Sequence, residues 1–103
     1  MMNTGSVVVV SLREPREQIW GVLAQLDERG VTVEGLAIDL FDALLQDLAA
    51  GGDLRQHLSV LFFPMSRVER ILLDRGAEGM PSLDDRLRSR LGKSLRQLVE
   101  EKG

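Results

Sequence analysis

Four consecutive valines, Val7 to Val10, constrain this chain more than any other stretch. β-Branched side chains crowd a helix and fit a pleated strand. Successive strand side chains point to opposite faces. An unbroken apolar run therefore has to be covered on both sides. With Ser11 and Leu12, the run predicts a two-sided strand over about 7–12. A chain of 103 residues can bury one core of that kind and form a single domain.

The polar stretch Arg13-Glu14-Pro15-Arg16 ends this strand, because Pro15 forces Glu14 out of helical conformation. A second strand is expected over about 18–26. Trp20, Val22, Ala24 and Leu26 fall on one face at period two, and Ile19, Gly21 and Leu23 on the other. A helix is the competing reading of this segment, since Ala, Gln and Leu favour one. Asp27-Glu28-Arg29-Gly30 then predicts a hairpin loop, with Gly30 supplying a positive φ, before a third strand over about 31–38.

The period changes after Asp39. Leu40, Phe41, Leu44, Leu45 and Leu48 recur at helical spacing, so a helix is expected over about 40–50. Asp39 is its expected N-cap, with Asp42 completing a capping box and Gly51-Gly52 stopping it. Strands follow over about 58–64, where Pro64 marks an edge, a bulge or an end, and over about 67–74. Arg75 to Gly79 is expected as a linker. Ser82 caps a last helix over about 82–100 with an apolar stripe of Leu83, Leu87, Leu91, Leu95 and Leu98. The expected class is α+β: a five-stranded antiparallel, barrel-like sheet with one inserted and one C-terminal helix, since closure removes exposed edges.

Two segments carry a resemblance. Gly21-Val22-Leu23-Ala24-Gln25-Leu26-Asp27 resembles the first signature of Sm-like barrels, and Leu61 to Ile71 is similar to that family's last two strands joined by a tight turn. The resemblance implies a small barrel, and RNA or nucleotide binding as an alternative function. Where that family usually carries a base-binding Asn, the stretch reads Gly30-Val31-Thr32-Val33. Trp20-Gly21-Val22-Leu23 and Phe63-Pro64-Met65 also resemble a family of short bacterial proteins of unassigned function.

The chemistry-bearing residues are sparse. The chain has no cysteine and one histidine, which excludes disulfides, thiolate metal sites and a histidine pair for zinc. His57 lies between Arg55-Gln56 and Leu58 and is expected as a solvated loop residue. Asp84 and Asp85 are expected to complement a helix dipole, and the glycines form no phosphate loop. The sequence thus predicts no enzyme, no cofactor and no metal. A net charge of −3 disfavours general nucleic-acid binding. The Val7–Val10 run is too short for a signal-peptide core, and no stretch approaches the roughly 20 apolar residues of a membrane span, so a cytoplasmic chain is expected.

What remains is binding. Two-sided strands are expected to carry more large apolar groups than one small subunit shelters. That predicts a protein-interaction or scaffolding module, with a second copy or another protein as partner. The expected partner-binding residues are Trp20, Phe62, Met65, Arg67 and Arg70, with Arg86, Arg90, Lys93 and Arg96 forming a basic face on the last helix.

Overall fold

A computed structural model of the chain describes residues 2–76 and 79–102. The described residues form five strands, β1 (Val7–Leu12), β2 (Glu17–Asp27), β3 (Gly30–Ala37), β4 (Ser59–Pro64) and β5 (Val68–Leu73). Helix α1 (Phe41–Ala49) lies between β3 and β4, and α2 (Leu83–Leu91) and α3 (Leu95–Lys102) follow β5. The fold is α+β, with every strand pair antiparallel in the order β4-β3-β2-β1-β5. The 18–26 segment is strand rather than helix.

The sheet is not a closed barrel. β4 and β5 are its two edges and share no ladder. It is nevertheless rolled, and chain connectivity dictates this. Four inter-strand spacings of about 4.8 Å would place the edges of a flat sheet about 19 Å apart. The chain crosses from β4 to β5 through one 3-10 turn, Met65–Arg67. Even fully extended, three residues and their flanks span about 15 Å, and a 3-10 turn spans less. Hydrogen bonds stitch this turn to the other loops. Met65 N–H donates to the Arg29 carbonyl, and Arg13 N–H to the Arg67 carbonyl, both at 2.9 Å.

Rolling gives the sheet two apolar faces, each with its own cover. Val8, Val10, Leu12, Ile19, Leu23, Val31, Val33 and Val68 fill the inside of the roll. Trp20, Val22 and Leu36 on the outside pack against Phe41, Leu44, Leu45, Leu87 and Leu95 of the helices. This corrects the expected apolar surplus at β2, because Ile19 and Trp20 point opposite ways and both are buried. A bulge at Ala24, between the Leu23 and Gln25 pairings, shifts the alternation. Leu26 therefore faces Val31 instead of sharing the Trp20 face, and is exposed.

Three local expectations are corrected. Asp39 does not cap α1: a 3-10 turn, Ile38–Leu40, leads in, and Leu40 stands at the N-cap with no side-chain hydrogen bond. Gly30 has no positive φ. The two-residue turn before it is held instead by Asp27, whose carboxylate accepts the Arg29 N–H at 2.8 Å. The single 82–100 helix is two. Gly92, left-handed at φ 75°, stops α2. Ser94 and Gln97 then cap each other across the first turn of α3 (2.9 and 3.2 Å). Asp84 joins the pieces by accepting the Leu95 N–H at 2.8 Å. The Ser82 cap is present as a full box with Asp85. The expected linker Arg75–Gly79 includes residues 77 and 78, which lie outside the described residues.

Candidate docking surface

β4 is the edge strand that combines apolar side chains with the absence of charge. It reads Ser59-Val60-Leu61-Phe62-Phe63-Pro64, without a charged residue. Alternation turns Leu61 and Phe63 toward the inside of the roll, where they pack on the inner cluster. Val60 and Phe62 point the other way, beyond the reach of the helices, and are 66% and 57% exposed. The β3–β4 register runs unshifted from Gly30↔Pro64 to Gly35↔Ser59. Because Met65 bonds to Arg29 one step beyond Pro64, Phe63, Leu61 and Ser59 direct their backbone groups at β3. Val60, Phe62 and Pro64 direct theirs off the free edge. Pro64 thus sits where its missing N–H costs no ladder bond.

Gly30 is needed for the position of Phe62. A Cβ on Gly30 would meet the Phe62 ring at 2.7 Å and the Phe63 carbonyl closer still. One side of the ring therefore rests on bare backbone and the other faces solvent. Beside it lies a hollow of about 240 Å³ lined by Gln25, Asp27, Arg29, Gly30 and Thr32.

The residues expected to bind a partner do not form one site. Trp20 is fully buried and donates Nε1–H to Asp74 at 2.9 Å, so no partner reaches it. Phe62 is at the surface, and Met65 is 37% exposed in the turn that follows β4. Arg67 is occupied within the fold: its guanidinium donates to the Arg13 and Pro15 carbonyls at 3.1 and 2.9 Å. That role belongs to the β4–β5 turn rather than to a surface. Arg70 is exposed on β5 and pairs with Glu69 at 3.7 Å. Reasoning from sequence missed Val60, although its i, i+2 relation to Phe62 placed both on one face.

The expected basic face is divided by the break at Gly92. Arg86 lies 4.9 Å over the Phe41 ring and bonds Asp42 at 3.3 Å. Lys93 pairs with Glu101 at 2.8 Å, and Arg96 with Glu100 at 3.2 Å. Arg90 is exposed on α2. Three of the four charges therefore have acidic neighbours, which lowers the local potential available to an anionic partner.

His57 is half-buried rather than solvated, with Nε2 2.7 Å from Asp47 Oδ2. Among the described residues, no group of three or more His, Cys, Asp or Glu is placed to hold a metal ion. No helix among them is long and apolar enough to cross a membrane.

The hairpin beside Phe62 carries one testable titration. The Arg29 backbone N–H holds the Asp27 carboxyl below its ordinary range and outweighs the opposing effect of desolvation, with the Gly30 N–H, the Arg29 charge and the Gln25 amide adding to the lowering. A depressed folded-state pKa stabilises the fold above the unfolded value of about 3.9, and the benefit is lost as pH falls through the folded value. Carboxyl NMR titration is expected to give an Asp27 midpoint below about 3.9. A midpoint at or above it means that the turn bond is not held in solution.

No protein-family model matches the chain, and no significant match was found among curated proteins or among solved structures.

Proposed function

We propose that this chain is a non-enzymatic protein-interaction module that self-associates, working in the reducing cytoplasm that a cysteine-free chain suits. The supporting observation is the β4 edge. It is uncharged, bears exposed Val60 and Phe62, and leaves backbone donors and acceptors unpaired. Folded proteins usually protect such an edge with charge, bulge or cover, because an unprotected one templates pairing with another chain. The other edge has that protection: β5 carries Glu69 and Arg70.

Light scattering coupled to size-exclusion chromatography tests this. The average mass is expected to rise with protein concentration. A constant monomer mass up to about 1 mM, the weakest affinity of interest here, would dispose of self-association.

A second reading, nucleotide or single-stranded RNA binding of Sm-like type, draws on the hollow beside Phe62. An exposed aromatic face and Arg29, whose guanidinium lies 3.5 Å from the Asp27 carboxylate, line the same hollow and offer the elements of base stacking and phosphate contact. Filter binding of an oligoribonucleotide should then weaken steeply with salt. Absence of binding at low salt removes this reading.

A further inference from the structure

Resting on self-association, we infer that the partner is a second copy of this chain, docked β4 against β4 about a twofold axis through Leu61. The free edge itself selects this arrangement. Val60 and Phe62 point both their N–H and C=O groups away from β3, as the ladder parity requires. In an antiparallel pairing of two identical strands, placing Val60 opposite Phe62 of the other copy uses all of these groups. Each of the two Val60–Phe62 pairs forms two bonds, and no donor or acceptor of these residues is left over.

Sliding the register to place Phe62 opposite Phe62 is worse. Val60 would then face Pro64, which has no N–H, and the Val60 carbonyl would lose its partner. Sliding it the other way places Phe62 opposite Leu58, which is buried and outside the strand. The preferred register also sets a β-branched residue beside an aromatic one on the outer face, a favourable cross-strand pair. On the inner face it sets the two Leu61 residues directly opposite each other.

Charge and symmetry exclude the other edge as the partner surface. β5 would bring Glu69 and Arg70 against an uncharged strand. A β4–β5 contact is also head-to-tail, and it propagates into rings or filaments rather than closing on a pair. Area sets the strength. Val60 and Phe62 offer on the order of 200 Å² of exposed apolar surface per copy. Even with backbone contact added, this lies at or below the low end of stable interfaces, about 1,200 Å² in total. The dimer is therefore weak and concentration-dependent.

Three variants of the full chain test the interface, with sedimentation run from about 1 µM to about 1 mM. Phe62→Lys places like charges side by side across the axis, and its dissociation constant is expected to rise at least about 30-fold, with circular dichroism unchanged. Leu61→Cys introduces the sole thiol of the chain at the axis. Opposed Cα atoms there lie about 4.5 Å apart, within disulfide range. Mild oxidation is expected to yield a covalent dimer, whereas Ser59→Cys, opposite Phe63 in this register, is expected to give little. Unaltered association of Phe62→Lys together with no Leu61→Cys cross-link overturns the β4 interface and leaves self-association standing. A wild-type monomer at every concentration overturns both. A wild-type species larger than two copies overturns the twofold arrangement.

Discussion

Trp20→Ala is expected to destabilise the chain by about 4 kcal/mol, the range for emptying a fully buried aromatic site. Trp20 has no exposed surface and is the largest fully buried side chain. Its ring meets Phe41 edge-on, with centroids 5.2 Å apart at 87°, and Arg86 lies over that ring in turn. The indole also has a polar role. Its Nε1–H donates to Asp74, the residue that follows β5. The Asp74 carboxylate accepts the Leu83 and Asp84 N–H groups at 3.1 and 2.9 Å as well, so it caps α2 from outside the helix. One side chain therefore connects the middle of the sheet, the end of the last strand and the first turn of α2. Domains of this size retain about 5–15 kcal/mol in total. The substitution should lower Tm by on the order of 15–30 °C, read by circular dichroism because the sole tryptophan is removed. Asp74→Ala separates the polar part and is expected to cost about 2–3 kcal/mol. There Trp20 remains as a fluorescent reporter. A loss below about 1 kcal/mol for Trp20→Ala would mean that the helices do not hold the outer face as described.

The periodicities made the strands legible because covered strands must be apolar on both faces, and Val7–Val10 and Ile19–Leu23 are. Counting side chains could not say how much cover there was. The expected surplus assumed that two helices, over about 40–50 and 82–100, cover only part of the apolar surface. In fact Gly92 folds the last segment back, so that Leu87 and Leu95, from two helices, reach the same cluster. That break was readable: Gly92 precedes Ser94-Leu95-Arg96-Gln97, a capping box with Gln at its last position. The leucine stripe concealed it, since its spacing continues across the break. Long-range bonds left no local signal at all. Asp74 as an external cap and Arg67 as the clamp on Arg13 and Pro15 join residues 9 to 54 positions apart. Of the candidate docking surface, Phe62 was legible as a large apolar residue at an edge marked by Pro64. The buried Trp20 was not separable from it, because burial on the outer face depends on where the helices stop.

Gly35→Ala is the complementary test, of backbone proximity rather than of side-chain packing. In a strand of ordinary φ this change usually stabilises by about 0.4–1 kcal/mol, because it restricts the unfolded chain. Here the sign is expected to reverse, with a loss of about 3 kcal/mol or more from overpacking. Gly35 stands opposite Gly21 across β2 and β3. A Cβ on Gly35 would run into the Trp20 carbonyl oxygen and the Gly21 Cα, and one on Gly21 would come within 2.6 Å of the Glu34 carbonyl oxygen. These are backbone atoms, so no rotamer change relieves the contact. The two strands must part, and parting them opens the sheet where it rolls. Because Gly35 also pairs with Ser59, the disturbance reaches the start of β4. Thermal unfolding followed by Trp20 emission measures the loss, and Gly21→Ala should be the milder of the two. A neutral or stabilised Gly35→Ala would show that β2 and β3 have room between them, and the tight roll that sets Phe62 on Gly30 would then need another cause.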